Sequence, residues 1–578
     1  MAASSEVNMK SEDDLNILQE LTLEFLLKND VQHRKVSLGR RIRDLKDGDV
    51  VLPRGCCPDV SEQIMKDFET EIKEKTSERL LPIKRLASDK YNSVVFYADR
   101  PRSFCNVIKE TLINGGNYGL SQVKSDQKTV VIKTLCCLDD DDYGPETSPE
   151  LVRNIVLLQH LEKLLEASGY QVISNISEPP DGVKSLYRIF DLDVTDTNTD
   201  SCLSRLTHCE ETLTQCKYRE EIKHILINPD KSLDNGDKRL PVILNVRNFI
   251  QDKKLPMGKS GYDKNLGIVN VITEDGGSAE VKEACYLLQS LSSVMSNHQT
   301  LHCLHLVSQR QAFLRQQIDL LYQIISDVTN QTHCIKQSHF VYGDVTSRSL
   351  GPDNQTLQPS LSSQQLYSLR YDQMVESTMM KYGEQVTSDR WKDTLKSLTV
   401  AGLRFEMLST TARNIVKLDL QENRDGQGLD NRAGSFVMYN CARLATLFKH
   451  YNEGVVKGVY PSLPDLDEVK FESLREEEEW TLLYNYIYMY PEMVKSCIEY
   501  LGPSSSDINA KLHTHKVANF LISLSRSLSS YYSRIHILGD CQPHLLAIMY
   551  PRLYLMKAAH QVLQNGLLLM GITPPTQL

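Results

Sequence analysis

The sequence predicts an α/β protein that continues into an all-α C-terminal region. A β-branched stretch at Thr129–Thr134 precedes a helical pattern from Pro149 to Ala167, and a second strand-like stretch, Tyr170–Ser174, follows that helix. This strand–helix–strand order is that of a βαβ unit, so we expect a parallel α/β layer in the middle of the chain. Beyond Gln365 nearly every segment has helical periodicity. The Ser-, Gln- and Pro-rich stretch Thr346–Gln365 between the two regions is typical of a flexible loop.

Capping and helix-ending residues define further elements. In the amphipathic segment Ser11–Asp30, Ser11 and Asp14 suit a capping box at the start of a helix. The apolar stripe of this helix consists of Leu15, Leu18, Leu21, Phe25 and Leu26. Ser148 or Thr147 can cap the middle helix, and Gly169 can end it. Strands are also expected at Ser93–Tyr97, Leu240–Val246 and Leu304–Ser308.

A basic segment follows the first helix. Val31–Gly55 contains seven Lys or Arg against three Asp. Such a segment is either a solvated surface or an arm that contacts phosphate groups, and the sequence leaves both interpretations open.

The bulk composition restricts the class of protein. The 578 residues include 24% charged residues and carry a net charge of −10, so any nucleic-acid surface has to be local. The early acidic residues argue against a targeting segment, and no apolar run approaches the roughly 20 residues that a membrane helix needs. Fourteen scattered cysteines favour reduced thiols and a cytoplasmic location.

The search for catalytic and metal-binding motifs finds no strong candidate. Phosphate-binding, dinucleotide-binding, zinc-protease and nucleophile-elbow patterns are absent. Cys202, Cys209 and Cys216 recur every seven residues, and they either bind zinc or are buried as small apolar groups; the tight Cys-x-x-Cys spacing of zinc sites is missing. We therefore predict no metal and no cofactor.

The C-terminal region resembles arginyl-tRNA synthetases. A polar linker within Lys417–Leu447 leads into a helix with the pattern Tyr-x-x-Ala-Arg, here Tyr439, Ala442 and Arg443. Further positions match in order: Gly434, Pro491–Val494, Tyr531–Tyr532, Arg552–Leu553, Val562–Leu563, Gly566–Leu567 and Gly571–Ile572. In that family this region is the helical anticodon-binding domain named DALR.

The resemblance extends upstream but departs at the first ATP motif. Arg153–Val172 is similar to the helix and strand that follow the class I signature His-x-Gly-His in the family. The four signature positions here are Ser148, Pro149, Glu150 and Leu151. Both histidines that would bind the ATP phosphates are thus missing, and Glu150 adds a charge of the wrong sign.

The second ATP motif departs as well. The family has a Lys-Met-Ser-Lys-type loop after a strand like Ser338–Val345, whereas Gln337–Met380 contains no lysine. The resemblance therefore implies a degenerate class I synthetase-like Rossmann layer in a non-catalytic relative, which forms no aminoacyl-adenylate.

The resemblance to non-catalytic animal relatives of this family implies a tRNA-binding adaptor. Such an adaptor would select particular arginine tRNAs for a methyltransferase-like enzyme that makes 3-methylcytidine in the anticodon loop, and it would bind neither membranes nor DNA. Two alternatives stay open. The chain is an active arginyl-tRNA synthetase, an ATP-dependent arginine–tRNA ligase, with altered motifs, or it is a scaffold whose DALR bundle binds only proteins.

Candidate RNA contacts follow from charge and ring chemistry. From Trp480 onward the chain has seven Lys or Arg against four acids. Unstacked bases bind on Tyr rings and Arg planes, while Lys and Arg hold phosphates. The candidates are Tyr439, Arg443, Lys516, Arg526, Tyr531, Tyr532, Arg534, Arg552 and Lys557.

Several of these candidates also have a structural alternative. One side of a predicted helix carries Phe436, Tyr439, Arg443, Leu447 and His450. Arg443 there either braces a domain junction or contacts tRNA. One of Tyr531 and Tyr532 should pack in the core, and Arg552 either binds RNA or pairs with an acid. About half of Tyr484, Tyr486, Tyr488 and Tyr490 should be buried, and the acidic run Glu476–Glu479 is expected to be a solvated face.

We therefore divide the chain into five segments. They are an N-terminal synthetase-like tRNA-binding domain (1–125), a degenerate Rossmann-like catalytic-type domain (126–345), a flexible loop (346–365), a helical connector (366–430) and the DALR anticodon-binding domain (431–578).

Overall fold

The fold is described from a computed structural model. It describes residues 14–29, 31, 35–56, 61–121, 129–134, 148–175, 181–192, 202–220, 242–259, 261–273, 276–295, 301–329, 335–348, 361–383, 386, 389–419, 429–501 and 507–576. The chain forms two compact units. Unit 1 consists of residues 1–120, 435–495 and 519–578, and unit 2 of residues 121–434 and 496–518.

The helices account for most of the described residues. Their bounds are α1 Asp14–Lys28, α2 Glu62–Thr76, α3 Arg100–Asn114, α4 Glu150–Ala167, α5 Asp181–Ile189, α6 Cys202–Gln215, α7 Val246–Asp252, α8 Ala279–Met295, α9 Ala312–Val328, α10 Ser363–Tyr382, α11 Asp389–Leu408, α12 Leu429–Val456, α13 Glu477–Thr481, α14 Tyr490–Ser496, α15 His515–Arg534 and α16 Pro543–Leu569. Within the described ranges, none of these helices has the length and apolarity to cross a bilayer.

The strands form three larger sheets and two short pairs. Their bounds are β1 Gly39–Arg40, β2 Val50–Leu52, β3 Ile83–Ser88, β4 Val94–Ala98, β5 Thr129–Thr134, β6 Gln171–Asn175, β7 Arg219–Glu220, β8 Val242–Asn245, β9 Ile268–Thr273, β10 Gly276–Gly277, β11 Leu301–Ser308, β12 Lys336–Tyr342, β13 Val345–Arg348, β14 Val416–Asp419, β15 Ile498–Tyr500 and β16 Lys511–Leu512. The predicted strands at 93–97 and 129–134 are confirmed as β4 and β5.

Unit 1 begins with an antiparallel sheet of order β1-β2-β4-β3. The rings of Phe25 (α1) and Phe68 (α2) stack with centroids 4.5 Å apart, and Phe68 meets Phe96 of β4 edge-on at 5.9 Å. Leu18 and Leu26 of α1 are buried in the same core. The apolar stripe predicted for the first helix is therefore its core side, although the predicted capping residue Ser11 lies outside the described residues.

Unit 1 also joins this sheet to the helical C-terminal region. The Trp480 indole N–H donates to Asp49 Oδ1 over 2.8 Å, and the Tyr484 hydroxyl donates to the Asp49 carbonyl over 3.0 Å. Arg40 donates to the Tyr484 carbonyl and to Asn485 Oδ1, each over 3.3 Å. The basic segment is thus partly structural, because Arg40 contacts the helical region rather than extending as a free arm.

Unit 2 contains the predicted parallel layer. Its central sheet has the order β12-β11-β5-β6 with all neighbours parallel, and α4 connects β5 to β6. Gly169 ends α4 with φ 86°, and the Tyr170 N–H bonds the Leu165 carbonyl over 3.0 Å, which is the Schellman geometry that favours glycine. The Glu150 N–H donates to Ser148 Oγ over 3.3 Å. The N-cap is Pro149 rather than the predicted Ser148 or Thr147, and the helix begins one residue later than predicted.

A second, antiparallel sheet of unit 2 has the order β10-β9-β8-β7. The strand predicted at 240–246 is β8 of this sheet, whereas the one predicted at 304–308 is part of β11 in the parallel layer. Cys209 and Cys216 are buried in the apolar core beside this sheet, as expected for small apolar groups. The Cys202 side chain lies outside the described residues, and the described part shows no group of three or more metal-ligand side chains.

The predicted loop and connector need a correction. Three of the four residues of β13, 346–348, fall inside the predicted loop 346–365. This strand pairs in parallel with β14, starting with Val345 opposite Val416. The loop also ends early, since Ser362 and Gln365 form a capping box at the start of α10. Residues 349–360 lie outside the described residues. The connector 366–430 is accordingly not wholly helical.

Candidate nucleic-acid interface

One side of α12 lines a cavity of about 380 Å³ within unit 1. Of the five residues that the sequence places on one side of this helix, Phe436 does not belong to the wall. The other four do, namely Tyr439, Arg443, Leu447 and His450. The rest of the wall consists of Ala442, Thr446, Tyr532, His536, Ile537 and Leu538. The wall therefore carries one arginine, two histidines and two tyrosines but no carboxylate.

Arg443 and Tyr532 stack on one another in the wall of this cavity. The Arg443 guanidinium carbon lies 3.7 Å from the centroid of the Tyr532 ring, a close cation–π stack. Arg443 forms no hydrogen bond or ion pair with any residue that the structure describes. Its planar N–H donors are thus available to a ligand, and the Tyr439 ring beside it is 42% exposed.

Tyr531, next to Tyr532, is a core residue. Its side chain is only 1% exposed, and its hydroxyl donates to Glu479 Oε1 over 2.8 Å. Burial and the Glu479 carboxylate raise the pKa of this phenol well above its usual value. One of the two tyrosines was expected to pack, and this is the one. Tyr531 is therefore corrected from an RNA contact to a packing residue, because its ring has no exposed face.

Two predicted contact arginines are neutralised by the acidic run. Arg552 Nε donates to Glu479 Oε1 over 2.9 Å, and Arg534 donates to Glu478 Oε1 over 2.7 Å. Glu479 is 0% exposed, so the prediction of a solvated face is wrong at this position. The reason is that a carboxylate can be buried when cationic and hydroxyl donors satisfy it. Arg552 thus pairs with an acid, the structural alternative to RNA binding. The Arg534 side chain remains 57% exposed beside Glu478.

The three remaining cations differ in their surroundings. Lys516 Nζ donates to the Ser496 carbonyl over 2.9 Å and to its hydroxyl over 3.1 Å. Arg526 and Lys557 are exposed, and neither pairs with another residue in the described ranges. The structure thus brings together Tyr439, Arg443 and Tyr532 at the cavity, and it places the other candidates elsewhere.

The alternating tyrosines divide as expected. Tyr484 and Tyr490 are buried, while Tyr486 and Tyr488 are half-buried. Residues Leu482–Ile487 form a π-helical turn, and the Tyr484 ring stacks on Tyr488 at 6.0 Å. These rings serve packing rather than base stacking.

Sequence reasoning missed two contributors to the site. His536 belongs to the cavity wall, but it follows the end of α15 at Arg534, so no helical period could have placed it there. Glu479 was missed because its acidic neighbours suggested a solvated face, and no local pattern distinguishes it from them.

The degenerate ATP motif lies at the start of α4. Strand order reverses between β5 and β11, and ligands of such sheets bind at the carboxyl ends of the strands there. Glu150 is buried and forms an ion pair with Arg310 at 3.5 Å, while Arg310 Nε donates to Asp344 Oδ2 over 3.0 Å. Burial raises the pKa of the Glu150 carboxyl, which Arg310 partly offsets. Leu151 is buried as well.

Comparison with known proteins assigns the family. Residues 437–578 match the family model described as the DALR anticodon binding domain. A zebrafish (Danio rerio) protein, DALR anticodon-binding domain-containing protein 3, is 32% identical over 439 residues, which cover 74% of this chain and 73% of that protein. This chain belongs to the family of DALR anticodon-binding domain-containing protein 3. The mouse member is 37% identical over 272 residues, 47% of this chain and about half (48%) of the mouse protein.

The fold of this DALR family member is that of an arginyl-tRNA synthetase. The Thermus thermophilus enzyme of that name superposes with a TM-score of 0.57 and 13% identity, covering 98% of this chain and 100% of the other. Such low identity indicates a shared fold and nothing finer. The predicted fold class, an α/β synthetase-like layer with a C-terminal DALR helical domain, is confirmed.

Proposed function

We propose that this chain is a non-catalytic tRNA-binding adaptor. It recognises particular arginine tRNAs and presents them to a methyltransferase-like enzyme that forms 3-methylcytidine in the anticodon loop. Membership of the DALR family and the synthetase-like fold support tRNA binding. The proposal assigns residues 1–125 as an N-terminal tRNA-binding domain, residues 126–345 as a degenerate Rossmann-like domain and residues 431–578 as the anticodon-binding domain.

The observation that carries the proposal is the Arg443–Tyr532 stack in the cavity. RNA loops are bound through unstacked bases that lie on aromatic rings or guanidinium planes, with cations near the phosphates. The wall offers such a plane, an exposed Tyr439 ring and no carboxylate that would repel a phosphate. The exposed Arg526 and Lys557 supply positive charge on the same helical domain.

The side chains at the start of α4 support the proposal that the chain is not catalytic. Transfer at a phosphate is accelerated mainly by positive charge and hydrogen-bond donors placed on its oxygens. Here a buried carboxylate, Glu150, and an apolar side chain, Leu151, stand at the relevant turn. A tRNA-binding protein without its own chemistry fits the role of an adaptor for a separate modifying enzyme.

Sequencing of co-purified RNA tests the proposal. We expect the tagged protein to enrich a few arginine tRNAs together with a methyltransferase, and cells without the protein to lose 3-methylcytidine from those tRNAs. An Arg443→Ala variant should lose the enrichment, whereas an Arg526→Lys variant, which keeps an exposed charge, should retain it. Unchanged modification in cells without the protein would exclude the adaptor role.

Arginine-dependent ATP–pyrophosphate exchange tests the lack of catalysis. We expect no exchange above background with the purified chain and arginine tRNA. Exchange that depends on arginine would instead establish an active synthetase.

A protein-only scaffold is a second candidate, favoured by the ion pairs of Arg534 and Arg552. These two arginines are engaged inside the molecule and are less available to RNA than the sequence suggests. A salt-insensitive complex that contains no tRNA would support the scaffold, since RNA binding through phosphates weakens steeply with salt.

A further inference from the structure

Glu479 links three elements of the helical domain through one carboxylate. Its Oε1 accepts from the Tyr531 hydroxyl of α15 over 2.8 Å and from Arg552 Nε of α16 over 2.9 Å. Its Oε2 accepts from the Glu476 N–H at the start of α13 over 3.1 Å. The side chain is 0% exposed, so it cannot itself contact RNA.

This carboxylate bonds Tyr531, whose neighbour Tyr532 belongs to the cavity wall. Tyr531 and Tyr532 are neighbours near the C-terminal end of α15, so the backbone that carries the anchored Tyr531 also carries Tyr532. Adjacent side chains on a helix point about 100° apart. One of them can therefore reach into the core towards Glu479 while the other meets Arg443 at the cavity.

We propose that Glu479 is a positioning residue of the cavity. By anchoring Tyr531 and Arg552 together, it fixes the end of α15 and holds the Tyr532 ring under the Arg443 guanidinium. This inference rests on the proposed function of the cavity as an RNA site. Hydrogen bonds to a charged, buried partner are strong enough to maintain such geometry, and neighbouring groups lose precision when a supporting contact is removed.

Glu478 provides a matched control. It lies next to Glu479 and also pairs with an arginine, Arg534, but this pair is largely exposed, and exposed pairs contribute little. Glu478→Gln and Glu479→Gln change the net charge equally. Only the second removes the buried anchor.

The test is a set of tRNA titrations with the full chain. We expect Glu479→Gln to weaken binding about tenfold, and Glu478→Gln to change it by less than about twofold. Tyr531→Phe removes one hydrogen bond from the anchor while keeping the ring, and it should weaken binding in the same direction. The slope of affinity against salt should stay unchanged in Glu479→Gln, because no phosphate contact is lost.

Coupling to Arg443 separates positioning from general destabilisation. In an Arg443→Ala background the effect of Glu479→Gln should disappear, because the stack it maintains is already gone. An undiminished effect in that background, or wild-type affinity of both Glu479→Gln and Tyr531→Phe, would overturn the proposal. If Arg443→Ala alone leaves tRNA affinity unchanged, the cavity is not the RNA site, and the proposed site fails instead.

Discussion

At the scale of single residues, Arg443 combines charge with a plane. Its guanidinium lies flat enough on the Tyr532 ring to bring the central carbon within 3.7 Å of the centroid. A lysine at this position would keep the charge but would lose the planar face and the fork of donors. A lysine substitution at Arg443 therefore separates the contribution of base stacking from that of charge attraction.

Replacing Arg443 by Lys should weaken tRNA binding by about tenfold, the cost of roughly one lost stacked contact. Fluorescence anisotropy with labelled arginine tRNA measures this change. Arg526→Lys is the control, since that side chain is exposed and a phosphate contact would survive the substitution. Equal affinities of Arg443→Lys and the wild type would mean that only the charge matters.

His560 of α16 makes the stability of the helical domain depend on pH. Its ring centroid lies 5.9 Å from that of Phe448, and its Nε2 is buried without a hydrogen-bond partner. Burial lowers the pKa of this imidazole to about 4. Between its ordinary value and about pH 4 the unfolded chain binds a proton that the folded chain does not, so stability falls as pH falls through that window.

A His560→Gln variant should reduce this loss of stability. Between pH 7.5 and 4.5 the free energy of unfolding should fall less in the variant than in the wild type, by on the order of 1–2 kcal/mol. Urea titrations at the two pH values measure the difference, and the pH 7.5 values correct for any change in packing. Parallel pH dependences of the two proteins would show that His560 titrates normally.

At the scale of elements, α11 and α12 approach each other in unit 2 at Gly402 and Gly434. The two glycines differ in the space that an added Cβ atom would have. A Cβ at Gly434 would lie 2.9 Å from the Ala401 carbonyl oxygen and from the Gly402 Cα. A Cβ at Gly402 would meet nothing within 4 Å. The close approach of the two backbones thus requires glycine on α12 only.

Gly434→Ala and Gly402→Ala should have opposite effects. The first should destabilise the protein by roughly 1–3 kcal/mol through overpacking, because backbone atoms cannot move aside as a side chain can. The second should stabilise it by about 0.5–1 kcal/mol, since alanine is the better residue inside a helix. Chemical denaturation of both variants checks the signs. Destabilisation of equal size would mean that both positions are equally crowded.

At the scale of the whole molecule, the two compact units each contain one of the two tryptophans. Trp480 is buried in unit 1 against Asp49, and Trp391 belongs to unit 2. In a Trp391→Phe background the remaining emission reports unit 1 alone. Unit 1 contains both the N-terminal sheet and DALR helices. A substitution that destabilises the sheet should therefore shift the unfolding transition that Trp480 fluorescence follows.

Asp49→Ala should move the Trp480 transition to lower denaturant. The change leaves the buried indole N–H without its acceptor, a cost of about 1–3 kcal/mol. Asp47→Ala is the control, because Asp47 is exposed in the same segment. Emission of Trp480, followed in the Trp391→Phe background, measures the shift. Identical midpoints for the two aspartate variants would mean that the Asp49 contact adds nothing to unit 1.

Much of the fold and part of the candidate site follow from local patterns. The βαβ unit, the glycine that ends α4 and the apolar side of α1 depend on periodicity and capping within a few residues. The same applies to the side of α12 that carries Tyr439 and Arg443. The stacking partner Tyr532 was a candidate, but its pairing with Arg443 could not be derived from spacing.

The sequence by itself determined the α/β layer, the helical C-terminal region and the side of α12 that Tyr439 and Arg443 share, because each depends on contacts between near neighbours along the chain. Only the tertiary structure decided which arginine and lysine side chains are left without an acidic partner and are available to RNA. Arg552 meets Glu479 across 73 residues and Arg534 meets Glu478 across 56, so neither pairing leaves a local pattern. The tertiary structure also joined the N-terminal sheet to the DALR helices through Asp49 and Trp480. Burial and ion pairing depend on the assembled core, and for that reason composition alone overstated the cations that could meet RNA.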